Sequence, residues 1–228
     1  MSASEPIPAS AERSLILAAI QLFGRDGFAA VSTRMLSEQA GTNVSAIKYH
    51  FGSKDDLYKA AIQHVVAQLQ PRFDFALTAF EQSRDLVGDD SVLQARLVKQ
   101  MVENLMQVFL GSEDVPLFIP IVLKEFFVPG PHFDYFYDAL PRRLHELFTA
   151  LVCMVERLEP NSEEAIIRAH AVIGQIMMFH VGREILNRRL GWTEFTPKRI
   201  ALIIRIIQDV VLQSLALKDP DSEKNDER

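Results

Sequence analysis

A single cysteine, Cys153, excludes a disulfide framework and any cysteine-based zinc site. Glycine and proline are sparse as well, at 10 and 11 of 228 residues, which argues against a many-turned all-β fold. No apolar run is long and clean enough to span a bilayer, because the greasiest stretch, 201–217, is broken by Arg205, Gln208 and Asp209. No N-terminal segment joins basic residues to an apolar run, so no signal peptide is expected, and the expected compartment is a reducing cytoplasm. His-Glu-x-x-His, a glycine-rich phosphate loop and Gly-x-Ser-x-Gly are all missing. His170, His180, Glu184 and Cys153 lack the tight spacing of a metal site. No enzyme, cofactor or metal is therefore expected.

What is present is an ample apolar fraction, 48%, enough for a packed core. Apolar residues recur at helical spacing almost throughout, with no convincing strand alternation and no internal repeat, so the predicted fold class is all-α. The net charge of −6 is unevenly spread: residues 10–70 sum to +1 and residues 71–228 to −6. The acidity thus belongs to the C-terminal part, and the N-terminal part is close to neutral.

Residues 1–9 read as a loose lead-in. A helical run from Ser10, with Leu15, Ala18, Ala19, Leu22 and Phe23 facing inward, ends at Gly27. Ser32-Thr33 signals the next helix start, with Thr33 as the expected cap. The helix 34–40 ends at Gly41, the hinge of a helix-turn-helix pattern. Asn43 is the expected cap of a two-turn helix, 44–50, in which Val44, Ile47 and Phe51 form the buried stripe. That spacing leaves Ser45, Ala46, Lys48, Tyr49 and His50 outward, a set of small, basic and aromatic residues suited to a major groove. Arg34, Ser45, Ala46 and Lys48 are the candidates for base edges. Thr33, Tyr49 and His50 are the candidates for phosphate or sugar, and Asn43 is counted with the DNA-binding set beside its role as a cap. Ser53 caps a further helix, 53–70, expected to end or kink at Pro71.

At these residues the chain resembles the TetR family of bacterial transcriptional regulators. The likeness covers roughly residues 12–66: LILAAIQLFGRDGF, STRMLSEQAG and IKYHFGSKDDLY. Asn43-Val44-Ser45-Ala46-Ile47 is similar to the CecR-like branch, whereas Lys48 departs from the aromatic or Thr of that pattern. The resemblance implies a backbone-phosphate contact by Lys54, a homodimer, and a repressor that leaves a near-palindromic operator when a small-molecule effector binds.

The remainder reads as long helices near 72–86, 91–110, 116–127, 133–157, 162–189 and 196–217. Helices 162–189 and 196–217 are apolar on more than one face, which points to burial against a second subunit. Candidate effector-binding residues are Met101, Leu105, Phe109, Phe118, Phe126, Phe127, His170, Met177, His180 and Arg183, since aromatic and Met-rich walls with few polar groups suit a small apolar ligand. A His180–Glu184 pair, one helical turn apart, would satisfy His180 without a ligand.

The expected organisation is a DNA-binding domain over 10–52, an effector-binding and dimerisation domain over 53–217 with 53–70 as connecting helix, and flexible tails over 1–9 and 218–228. The expected partners are operator DNA, an effector of unknown identity and a second copy of the chain, with no membrane. Two alternatives stay open: a ligand-independent activator or architectural factor, and an all-α ligand carrier or enzyme.

Overall fold

The computed structural model describes residues 9–110 and 115–221, so the expected tails fall largely outside the described residues. Among the described residues there is no strand. In chain order the helices are α1 (Ala9–Asp26), α2 (Thr33–Ala40), α3 (Val44–His50), α4 (Lys54–Val87), α5 (Ser91–Leu110), α6 (Val115–Phe127), α7 (Phe133–Ala139), α8 (Pro141–Glu156), α9 (Glu163–Val181), α10 (Arg183–Leu190) and α11 (Pro197–Ser214).

Among the described residues they form two compact units, one from residues 9–70 and 115–140, the other from residues 71–110 and 141–221. Helices α6 and α7, expected with the C-terminal part, therefore pack with the N-terminal helices. In this first unit Leu15, Ala18, Ala19, Leu22 and Phe23 are all buried, as their spacing predicts. Helices α1 and α6 cross tightly at Gly24, where an added Cβ would lie 2.7 Å from Ile121 N and 2.8 Å from Pro120 Cβ. No other residue fits that crossing without displacing backbone.

In the second unit α5 supplies the central stripe, with Val98, Met101, Val102, Leu105 and Met106 buried against α8, α9 and α11. Two helices expected as single elements are each divided. The stretch 133–157 breaks at Leu140, and α8 begins on Pro141, whose missing N–H is harmless at a helix start. The stretch 162–189 bends by 61° between α9 and α10. There the Gly182 N–H closes α9 on Met178 O at 2.8 Å, and the ladder restarts with Leu186 N–H on Gly182 O at 3.1 Å. Conversely α4 stays helical through Pro71, the residue at which one unit gives way to the other.

Candidate functional sites

The first unit presents a helix-turn-helix. Ser32, not Thr33, caps α2: its backbone is extended and its hydroxyl accepts from Met35 N–H at 3.2 Å, while Thr33 is already helical. Gly41 closes α2 with φ 65°, a left-handed turn that a residue with a Cβ adopts only with strain. Asn43 caps α3 as expected, accepting from Ala46 N–H at 2.9 Å and from the Ser45 hydroxyl at 2.6 Å.

Helix α3 is rolled relative to the expected stripe. Ala46 and Ile47 are buried, whereas Val44 is half exposed at 48%. Ala46, offered by its spacing as a base contact, thus faces the protein, because its methyl lets α3 sit close to its neighbours. Val44, Ser45, Lys48 and Tyr49 form the outward face, with Tyr49 72% exposed and its ring edge-on to His50. Val44 was missed because two stripes, Val44–Ile47–Phe51 and Ala46–Ile47–His50, fit a two-turn helix about equally. His50 is half-buried, and its Nε2 has no hydrogen-bond partner among the described residues. Arg34 is exposed and ion-paired with Glu38 at 2.8 Å.

Lys54 is not a dangling cation. Its ammonium donates to Phe28 O at 3.0 Å and Val31 O at 2.9 Å and lies 4.2 Å over the Phe28 ring. It braces the loop before α2 to the start of α4. A second brace was not visible in the sequence: the Tyr58 phenol donates to buried Glu125, whose other oxygen accepts from Gly130 N–H at 3.1 Å. Burial, and then Glu125, pushes the Tyr58 phenol far above its ordinary range, so it remains a donor.

The expected effector residues divide between the units. Phe118, Phe126 and Phe127 lie on α6 in the first; Phe118 is buried beside His64, and Phe126 and Phe127 are exposed. The other seven lie in the second. Met101 and Leu105 line a small, mainly apolar cavity of about 10 Å³ with Phe73, Leu77, Leu144, Leu147 and Phe148. Phe109 and Met177 pack on the same core. His170 is exposed and bonds His145 at 3.0 Å. Arg183 stacks on Phe195 at 4.5 Å. The expected His180–Glu184 pair does not form: His180 bonds Phe109 O at 3.1 Å, and Glu184 pairs with Arg188 at 2.9 Å. No cluster of three metal-ligating side chains occurs among the described residues.

Comparison with known proteins matches both parts of the chain. Residues 15–61 match the profile of bacterial regulatory proteins of the tetR family, and residues 94–217 match the C-terminal domain of the HTH-type transcriptional dual regulator CecR. The HTH-type transcriptional dual regulator CecR of Shigella flexneri is 30% identical over 213 residues, which span 90% of this chain and 93% of that protein. The chain belongs to the TetR family, in its CecR branch. This CecR-type chain is therefore a DNA-binding transcriptional regulator and not an enzyme. Solved structures show the same fold. A TetR-like regulator from Rhodococcus sp. RHA1 superposes with TM-score 0.60 at 17% identity, covering 94% of this chain and 100% of that one. A TetR-family member from Streptomyces coelicolor A3 does so with TM-score 0.58 at 16% identity, covering 93% of each.

Proposed function

We propose that the regulator is a cytoplasmic homodimeric repressor whose residues 10–52 read a near-palindromic operator and whose second unit takes a small-molecule effector. The observation that carries this reading is the outward face of α3: Ser45, Lys48 and Tyr49 exposed on a two-turn helix whose opposite side is buried. Lys48 and Ser45 reach base edges, Val44 in place of the buried Ala46 meets a thymine methyl, and Tyr49, His50, Thr33 and Arg34 contact the backbone. Two copies joined through α9–α11 place two such helices on half-sites about one turn of DNA apart. Effector binding shifts the start of α4, and a coupling of about 1–3 kcal/mol would weaken operator binding roughly 5–150-fold.

The Shigella relative is named a dual regulator, which favours a second reading in which the same dimer represses at some promoters and activates at others. Genomic fragments selected by the purified protein, assayed by fluorescence anisotropy with wild type and a Lys48→Ala, Tyr49→Ala double variant, test the proposal. Loss of specific binding in the variant is expected. Equal binding by both proteins would remove α3 as the reader.

A further inference from the structure

We propose that the effector is an uncharged, mainly apolar molecule offering one hydrogen-bond donor, and that Nε2 of His180 receives that donor; this rests on the second unit being the effector-binding part. His180 lies in the last turn of α9 and is only 7% exposed. Its Nδ1 sits 3.1 Å from Phe109 O. A carbonyl can only accept, so Nδ1 carries the ring proton and Nε2 is left as a bare lone pair. Burial outweighs the opposing effect of the Phe109 hydrogen bond and, with a smaller push from Arg183, holds the imidazole pKa below its ordinary value, which favours the neutral ring. Nε2 is nonetheless buried and has no partner among the described residues. A buried acceptor left unmatched is costly, and a ligand N–H or O–H would remove that cost. A carboxylate or phosphate would bring lone pairs against a lone pair and is disfavoured.

The apolar body has a place beside this nitrogen. The Phe109 ring lies 5.5 Å from the His180 ring and 6.0 Å from the Phe73 ring. Phe73 and Leu105 in turn line the cavity of about 10 Å³. That volume is at the lower limit for a single water, so the cavity is closed to any larger guest. The Phe109 ring thus stands between the His180 ring and Phe73 of the cavity wall, and the proposed site requires that ring to turn aside. A guest replacing the Phe109 ring there would be flat and of one or two rings.

Indole and indene form a matched probe pair, of nearly equal shape, with the N–H present only in indole. Titration calorimetry on the full chain is expected to show indole binding about tenfold tighter than indene. His180→Phe should remove the difference, and Leu105→Trp, which fills the cavity, should abolish binding of both. Equal binding of the two probes to the wild type overturns the donor assignment, as it would if a buried water already satisfied Nε2. Binding untouched by Leu105→Trp places the probes elsewhere and also overturns it, as does failure of both probes to bind. Operator affinity measured with saturating indole tests the underlying reading separately. Indole bound at His180 with no change in operator affinity would keep the site and remove its role in control.

Discussion

Two lysines six positions apart play different parts, and their surroundings say why. An ammonium has three donors, and Lys54 spends two of them on the carbonyls of Phe28 and Val31, whereas Lys48 is exposed on α3. Each phosphate contact contributes about 0.9 to the slope of log affinity against log salt. Lys48→Ala is therefore expected to weaken specific operator binding and leave the melting temperature unchanged, while Lys54→Met lowers the melting temperature and, its ammonium being held by carbonyls, changes the slope little. Anisotropy titrations at several salt concentrations, beside thermal melts, separate the two.

Histidines give a second residue-scale expectation. His64, His145 and His180 all have pKa values below the ordinary one, in each case mainly through burial. The unfolded chain takes up these protons near pH 6.5, and the folded chain does so only at lower pH. The unfolded state thus binds more protons in that window, so stability is full above it and is lost as pH falls below about 6.5. Thermal melts at pH 7.5 and 5.5 should show the lower melting temperature in acid, with a smaller fall for His180→Phe. A melting temperature that rises on acidification would count against this.

Among elements, the Asn43 cap, the glycine turn and the inward side of α1 follow from local chemistry and were legible, whereas the α2 cap fell on Ser32 and not on the neighbouring Thr33. Helix junctions were less so. Pro141 and Gly182 each sit inside a long apolar pattern, and periodicity alone cannot tell a helix that continues from one that restarts in a new direction. The roll of α3 was ambiguous for a related reason: seven residues span too few turns to choose between neighbouring stripes. The α1–α6 crossing is decided by packing, at Gly24. Gly24→Ala would force a methyl against the Pro120–Ile121 backbone, and overpacking of this kind costs about 1–3 kcal/mol. A melting temperature unchanged in Gly24→Ala would show that the crossing gives way freely.

For the whole molecule, the open question is what covers the apolar residues left exposed on α9–α11. Ile167 is 68% exposed and Ile185 70%, and Met178, Leu202, Ile206 and Val210 are uncovered as well. Apolar side chains gathered on adjacent helices are seldom left in water, and a second copy is the proposed cover. Ile206→Glu in combination with Met178→Glu is expected to yield a monomer by sedimentation, with helicity retained and operator affinity greatly reduced. A dimer that survives both changes would put the interface on another surface.

The sequence by itself determined the helical class, the helix-turn-helix with its Asn43 cap and Gly41 turn, and the family, because caps, turns and periodicity are local and written in adjacent residues. Only the tertiary structure decided that residues 115–140 pack with the N-terminal helices, that Ala46 faces inward and Val44 outward, and that Lys54 is held by carbonyls. It alone decided that His180 meets Phe109 and not Glu184. Each of these depends on which residues distant in sequence come into contact, and spacing along the chain carries no record of that.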